Sequence, residues 1–288
     1  MTAKNVLVVD DLLAKGGTAV PRSRLVEASG GTVSAGVFFI ELDLLRGAER
    51  LAPRRIFWPA PLWSRSELRS VVFDPQSTGL IVVDPQVGFT DLSGSFGRVF
   101  GAGELSPIQA AVRELAEFIA HLPEQVGGIV VTSEYQPGYH TKGDLNHPLA
   151  SLCVAAGPDC ELSSGFTVRP GWTRVIKHEI DAASSHEFLE TLEVWVRDGR
   201  TTLLVAGFTA TTCVKQTVLS LLRWSRLRPA SIVIVQDLVG ARISHHQAEG
   251  TEPSSLEKAY RAMASCGASI LPSWRSIRWK MMGDHGIV

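Results

Sequence analysis

The 288-residue sequence has little net charge and no long apolar run. Its 28 Lys and Arg residues oppose 29 Asp and Glu residues, so no strong field is available to attract nucleic acid or an anionic membrane. No stretch reaches the roughly 18 consecutive apolar residues that a membrane-spanning helix needs. The opening MTAKNVLVVDDLL is too briefly apolar and too soon acidic for a signal peptide. We therefore expect a cytoplasmic protein with a small-molecule partner and with neither a nucleic-acid nor a membrane partner.

Cysteines are also few, at four in the whole chain. Their spacing does not match a zinc site, and a chain that is 45% hydrophobic does not need disulfides to form a large core. We expect reduced thiols at all four positions, which are Cys153, Cys160, Cys213 and Cys266.

What the sequence does contain is a regular alternation of apolar runs and amphipathic stretches. Continuous Val, Ile and Leu runs of strand length are typical of strands covered on both faces, and they occupy residues 80–84, 127–133, 173–177, 201–207 and 231–237. Helical periodicity fills the gaps, at about 106–122, 184–198, 213–226 and 254–266. The pattern predicts an α/β, Rossmann-like parallel sheet of about six strands flanked by helices.

Residues 57–77 interrupt this pattern with prolines, tryptophans and charges in no steady period. We interpret this stretch as a linker between an N-terminal fragment, residues 1–56, and a domain over residues 78–288.

Three reactive side chains follow predicted strands. Asp84 ends the first strand of the domain, Lys177 ends a later one, and Cys213 follows the strand 201–207 at a predicted helix start. Ligands of such folds bind at the carboxyl ends of the strands, so a carboxylate, an ammonium and a thiol are expected at one edge. An ammonium and a helix N-terminus both lower a thiol pKa, and a carboxylate can accept and return the proton of an acyl transfer. Taken singly, each residue also has a plain interpretation: Asp84 as a cap before Pro85, Lys177 as a surface residue that ends a strand, and Cys213 as a small buried hydrophobe.

Together, these residues lie in segments that resemble the isochorismatase-like cysteine hydrolases, over about residues 78–273. LIVVDPQVGFTD resembles the family's first strand, and RVIKHEIDAASSHEFLETLEVWVRDGRTTLLVAGFTATTCVKQTV its lysine strand, helix and nucleophile strand. The resemblance implies that Cys213 is the nucleophile, Asp84 the general acid/base and Lys177 the cation that holds both. It also implies a cis peptide at Phe208–Thr209 and an oxyanion hole formed by the N–H groups of Thr209 and Cys213.

Other assignments depend on the same resemblance. We expect the substrate pocket to be lined by Gln86, Phe89, Gln136, Trp172 and Phe208, although Trp172 equally suits a role in packing its loop. Nicotinamidases of the family bind a metal through an Asp-x-His pair and a second His. The residues near those places here are Glu134, Gln136 and His140, and Gln is a poor transition-metal ligand. We expect no metal and no cofactor, and we assign no role to His245 or His246.

The N-terminal fragment has a different character. NVLVVDDLLAKGGTAV reads as a strand, two acids and a glycine-rich turn that can cradle a phosphate. With GGTVSAGVFFIELDLLRGAERL it resembles the closing part of adenine phosphoribosyltransferase over about residues 5–56. The resemblance implies ribose contacts at Asp10 and Asp11 and phosphate contacts at Gly16, Gly17 and Thr18. Because the other parts of a transferase do not match, three roles stay open: packing or oligomerisation, a phosphate-binding site, or half of an enzyme that a partner chain completes.

The leading hypothesis is a cysteine-dependent hydrolase that cleaves a C–N bond of a small amide, carbamoyl or lactam substrate through a thioester. One alternative is a nucleotide- or phosphoribosyl-binding regulatory protein on a hydrolase fold. Another is an acyltransferase that uses the same cysteine. Family members commonly form dimers or tetramers, so we expect a homo-oligomer.

Overall fold

A computed structural model describes residues 5–13, 19–41, 55–57, 70–227, 229–248 and 252–280. Contacts divide the chain into two units, Met1–Arg69 and Ser70–Val288. Residues 70–77 therefore belong to the second unit, so the linker predicted over 57–77 is too long at that end. None of the helices in the described ranges is both long enough and apolar enough to cross a membrane.

The first unit contains a β-α-β arrangement. Strands β1 (Asn5–Leu13), β2 (Thr32–Glu41) and β3 (Arg55–Phe57) form a parallel sheet in that order, and helix α1 (Ala19–Ala28) connects the first two. Valines of β1 and β2 are buried, at Val8 and Val33. Gly16, Gly17 and Thr18 lie outside the described residues, and Asp10 and Asp11 are described only as backbone of β1. Their predicted phosphate and ribose contacts stay predictions.

The second unit is built on a six-stranded parallel sheet in the order β10-β9-β8-β5-β6-β7. Its strands are β5 (Thr78–Val83), β6 (Gly127–Ser133), β7 (Thr173–Lys177), β8 (Thr202–Phe208), β9 (Ser231–Gly240) and β10 (Ser269–Leu271). A separate parallel pair joins β4 (Val71–Phe73) to β11 (Ile277–Trp279). The predicted strands and the α/β class are confirmed.

Helices cover both faces of this sheet. They are α2 (Val87–Thr90), α3 (Ser95–His121), α4 (His186–Arg197), α5 (Lys215–Arg223) and α6 (Ser255–Ser265). Successive strand residues point to opposite faces, so β5 contributes Leu80 and Val82 to the core beneath α3, and Ile81 and Val83 to the core beneath α4, α5 and α6. Burial on both faces is the physical reason why the strands read as unbroken apolar runs.

Candidate active site

The carboxyl ends of β5, β6, β7 and β8 meet at one edge of the sheet, where the reactive side chains lie. Asp84 directly follows β5, and Lys177 is the last residue of β7. The Lys177 Nζ atom lies 3.0 Å from Asp84 Oδ2, and both side chains are fully buried. Asp84 has a φ of 51°, in the left-handed region that few residues other than glycine adopt.

The approach of β8 to β5 depends on a glycine. Gly207 pairs with Val83 and has a φ of 122°, and a Cβ atom placed on it would lie 2.1 Å from the Val83 carbonyl oxygen. A side chain at this position would therefore push apart the two strands that lead to Asp84 and Cys213.

Cys213 lies in a short π-helix, Ala210–Val214, that follows β8 and continues into α5. The Phe208–Thr209 peptide bond is cis, which confirms the prediction made for this position. The N–H groups of the first turn of a helix have no acceptor within that helix. Those of Thr212 and Val214, on either side of Cys213, donate to the carbonyl oxygen of Thr209, just outside the helix, at 3.2 Å each, and the role predicted for the Cys213 N–H stays a prediction. Local π-helical turns are frequent at functional sites.

Lys177 is fixed by four contacts. Besides the ion pair with Asp84, its ammonium donates hydrogen bonds to Tyr135 OH at 3.0 Å, to the Glu179 carbonyl at 3.0 Å and to the Ile180 carbonyl at 3.1 Å. A buried ammonium is tolerated only when its donors are satisfied and its charge is paired, and this lysine meets both conditions.

Two residues of the site were missed by the sequence interpretation. Ser133, the last residue of β6, donates a hydrogen bond from Oγ to Asp84 Oδ1 at 2.8 Å. Tyr135, two residues further on, has its hydroxyl 2.8 Å from Ser133 Oγ and 3.9 Å from Cys213 Sγ. Both stand at or just after the carboxyl end of a strand, and this position is the only feature of the sequence that could have identified them. Because neither side chain is charged, they do not stand out as Asp84 and Lys177 do.

The burial of the site changes its ionisation. Burial raises the pKa of Cys213 to about 12, because it outweighs the lowering by the Lys177 ammonium, and the charge of Asp84 and a hydrogen bond with it raise the pKa further. The expectation of a lowered thiol pKa is therefore wrong for the free protein, in which Cys213 is a neutral thiol. Burial lowers the pKa of Lys177, but the charge of Asp84 and a hydrogen bond with it act in the opposite direction and the net shift is upward. The lysine thus keeps its charge.

Gln86 does not line a pocket. Both hydrogens of its amide nitrogen are used, by the Ser133 carbonyl at 3.0 Å and the Cys160 carbonyl at 3.2 Å. Its amide oxygen accepts from the Ser133 N–H at 2.6 Å. The prediction of substrate contact is wrong, because the amide donors are already engaged with the backbone. Gln86 instead fixes the end of β6, and with it Ser133.

Trp172 is also placed elsewhere. It precedes β7, so it lies at the amino end of the strand whose carboxyl end carries Lys177. Its ring covers Gly128, near the start of β6, so closely that a Cβ atom there would lie 1.9 Å from the indole. The assignment to the substrate pocket is wrong, and Trp172 packs its loop against the sheet.

The other three predicted pocket residues have different surroundings. Phe89 is buried in the core with its ring edge against Phe96, and Phe208 is fully buried with its ring close to Gly240. Gln136 is exposed on the loop after β6. Their contacts with a substrate stay predictions.

A metal site does not fit the residues near His140. No group of three or more His, Cys, Asp or Glu side chains suited to a metal ion occurs in the described part of the chain. The His140 ring packs edge-on against Tyr135, at 4.5 Å between centroids, and its Nε2 atom has no hydrogen-bond partner among the described residues. Burial and the Lys177 charge lower the pKa of His140 to about 4, so the imidazole is neutral near pH 7.

His245, to which no role was assigned, contacts the nucleophile segment. Its Nδ1 atom lies 2.9 Å from Thr211 Oγ1, and its Nε2 atom accepts from Arg242 at 3.0 Å. Because Nε2 is an acceptor, the ring proton is on Nδ1 and is donated to Thr211. His245 therefore holds the π-helix that carries Cys213.

The fold and the site together define a parallel α/β protein with a buried carboxylate, ammonium and thiol at the carboxyl edge of its sheet. The family model of the isochorismatase domain matches residues 78–263. The chain belongs to the isochorismatase family.

Solved structures agree on the fold. The chain is similar to PnC1 from L. infantum in complex with nicotinate, with a TM-score of 0.51, 16% identity, and coverage of 73% of this chain and 99% of that one. It is also similar to the pyrazinamidase of Pyrococcus horikoshii in complex with zinc, with a TM-score of 0.50, 17% identity, and coverage of 68% and 98%.

The N-terminal region has a different relationship. It is similar to adenine phosphoribosyltransferases, with 62% identity over 48 residues to the protein of Nitrosococcus oceani and 59% over 49 residues to that of Koribacter versatilis. Each match covers 17% of this chain. The chain spans only 28% and 27% of the length of these curated relatives.

Proposed function

We propose that the second unit is a cysteine-dependent hydrolase that cleaves a C–N bond in a small amide, carbamoyl or lactam substrate through a thioester. The observation that carries the proposal is the fully buried Asp84–Lys177 ion pair beside Cys213 at the start of the helix after β8. Buried ionisable groups with perturbed pKa values are concentrated at functional sites.

The proposed reaction begins with Cys213 as a neutral thiol. Its sulfur attacks the carbonyl carbon, its proton passes to Asp84, and the carbonyl oxygen becomes an oxyanion that accepts hydrogen bonds from the N–H groups of Thr209 and Cys213. Collapse of this intermediate breaks the C–N bond, and the proton on Asp84 goes to the departing amine. Lys177 remains charged throughout and balances the anion, whether it is on the carboxylate or on the sulfur.

The second half returns the enzyme to its starting state. A water molecule attacks the thioester carbon while Asp84 accepts one of its protons. The C–S bond then breaks, the acid product departs, and the proton on Asp84 returns to the Cys213 sulfur. Each group thus ends in the protonation state in which it began.

A panel of small amides, carbamoyl compounds and lactams tests the proposal through ammonia or amine release and the intact mass of the protein. We expect one compound class to be hydrolysed and to leave a mass adduct on Cys213. Cys213→Ala should abolish turnover, whereas Cys266→Ala, which removes an exposed thiol, should leave it unchanged. An active Cys213→Ala protein would end the proposal. If added hydroxylamine diverts the product to a hydroxamate, the thioester is supported, and a preference for amines over water would identify an acyltransferase.

A second candidate function concerns the first unit. Its similarity to adenine phosphoribosyltransferases supports a phosphoribosyl- or nucleotide-binding role that regulates the hydrolase. Calorimetry with ribose 5-phosphate on the wild type and on Asp10→Asn/Asp11→Asn tests it. Heat of binding in the wild type that disappears in the variant supports a binding role, and no binding in either protein leaves a role in packing or assembly.

The family resemblance also supports a homo-oligomer as the working form. Light scattering on the full chain should then give a mass above that of one chain, and a monomeric mass would contradict this proposal.

A further inference from the structure

The hydroxyl groups of Tyr135 and Ser133 form a continuous path between the proposed nucleophile and the proposed base. Tyr135 OH lies 3.9 Å from Cys213 Sγ and 2.8 Å from Ser133 Oγ, and Ser133 Oγ lies 2.8 Å from Asp84 Oδ1. A serine hydroxyl has one proton, and a carboxylate only accepts. When Ser133 donates to Asp84, it must therefore accept the proton of Tyr135.

We propose that Tyr135 and Ser133 form a proton relay that carries the Cys213 thiol proton to Asp84 as the sulfur attacks the substrate. The inference rests on the proposed function of Cys213 and Asp84 and adds two residues to it. The S–H bond of Cys213 breaks toward the Tyr135 oxygen, the Tyr135 proton moves to Ser133 Oγ, and the Ser133 proton moves to Asp84 Oδ1. The thiol and the carboxylate become a thiolate and a carboxylic acid, and both hydroxyl groups end as they began.

The engagement of Asp84 supports this route. Its Oδ2 atom is paired with the Lys177 ammonium at 3.0 Å, whereas Oδ1 accepts the hydrogen bond from Ser133 at 2.8 Å. The relay therefore ends at the carboxylate oxygen that the ammonium does not occupy. The 3.9 Å contact at the sulfur is long, but hydrogen bonds at catalytic sites often shorten only when the substrate is bound.

The surroundings suit a group through which a proton passes. Lys177 donates to Tyr135 OH at 3.0 Å, so its charge stabilises negative charge on the phenol oxygen. Burial, followed by the charge of Asp84, raises the pKa of Tyr135, so the phenol keeps its proton and can donate it.

Both relay residues are also held in place. The Tyr135 ring stacks on Tyr139, with 4.7 Å between centroids and an interplanar angle of 11°. Gln86 binds the N–H and the carbonyl of Ser133. A fixed geometry is what a proton path requires, because each transfer depends on a short and aligned contact.

The relay is tested by acylation of the full chain with p-nitrophenyl acetate at neutral pH, which reports the attack step without a known substrate. We expect Tyr135→Phe and Ser133→Ala each to slow the Cys213-dependent acylation by about tenfold or more, the effect of losing a hydrogen bond to a charged group. Ser133→Thr, which retains a hydroxyl, should keep most of the rate. Tyr139→Phe removes a hydroxyl from the ring stacked on Tyr135 and should acylate at the wild-type rate.

A second measurement separates proton transfer from a structural role. If several protons move in the attack step, the acylation rate of the wild type should fall along a curve as the deuterium content of the solvent rises. Ser133→Ala, which leaves the thiol and Lys177 contacts of Tyr135 in place, should give a straight line. Thermal melts show whether each variant is folded. If Tyr135→Phe does not fold, the relay is judged from Ser133→Ala.

The outcomes are distinguishable from failure of the proposed function. No Cys213-dependent acylation in the wild type would overturn the hydrolase proposal and the relay with it. A slow Asp84→Asn protein together with Tyr135→Phe and Ser133→Ala at the wild-type rate would leave the hydrolase standing. In that case the proton passes directly to Asp84 and the relay is wrong.

Discussion

We expect that removing the Lys177 charge destabilises the second unit by more than the loss of an exposed charge does. Lys177→Met keeps the length of the side chain but leaves the Asp84 carboxylate buried without its counter-charge. Both side chains have 0% exposure, so solvent does not screen the pair. Breaking a buried pair from one side costs about 3–5 kcal/mol. For a unit of this size, that corresponds to a fall in melting temperature of roughly 6–20 °C.

A double-mutant cycle measures the pair itself. Asp84→Asn should cost less than Lys177→Met, because the ammonium retains Tyr135 OH and two carbonyl oxygens as acceptors. The double variant should be more stable than the sum of the single losses predicts, by about 2 kcal/mol, since it buries no unpaired charge.

Urea denaturation followed by circular dichroism provides the free energies for the cycle. The matched control is Arg261→Met, which breaks an exposed helix pair with Glu257 and should cost no more than about 0.5 kcal/mol. Additivity of the two site variants to within about 0.5 kcal/mol would refute the reasoning, because it would mean that the two side chains do not interact.

Single features of the site give three further predictions. Gly207→Ala should destabilise the second unit by several kcal/mol, roughly the cost of backbone strain plus a steric clash. Gly199→Ala, which also has a positive φ but open space around it, should cost only about 1 kcal/mol; equal melting temperatures would contradict the role of the β5–β8 contact. In the free protein, alkylation of Cys213 by iodoacetamide should become faster throughout the range from about pH 7 to 10, because the thiol pKa is about 12. A plateau near neutral pH, read by peptide mass spectrometry, would show a thiolate instead. His140 has a lowered pKa, so the unfolded chain binds its proton first and stability should fall as the pH drops from about 6.5 toward 4. Melting curves of His140→Gln should show a smaller fall, and an identical pH dependence would count against the burial of this ring.

The fold could be predicted from the sequence because its strands are buried on both faces. Runs such as GLIVVD and TLLVAGF are almost continuously apolar, which makes them easy to recognise as buried strands. In the helices between them, apolar residues recur at intervals of three and four. The helix boundaries were less accurate. The pattern predicts a helix from about residue 106, but α3 begins at Ser95 and merges two helices across Gly101, whose φ is 78°.

Some site residues could be placed from the sequence and others could not. The placement of Asp84, Lys177 and Cys213 at one edge of the sheet could be predicted, because a charged or reactive side chain stands out at the end of an apolar strand; their catalytic roles stay predictions. Gln86 and Trp172 were misassigned, since an amide and an indole suit a pocket wall as well as a packed interior. Only the positions of their partners decide which role applies.

By itself, the sequence determined the class of fold, the positions of its strands along the chain and the edge at which the reactive groups meet, because these depend on hydrophobic periodicity and on strand direction. The tertiary structure alone decided how those groups are ionised and linked. Burial makes Cys213 a neutral thiol, and the register that places Ser133 beside Lys177 brings Tyr135 between the thiol and the acid. Desolvation and hydrogen-bond geometry depend on distances between residues that are far apart in the chain, and no local pattern encodes them.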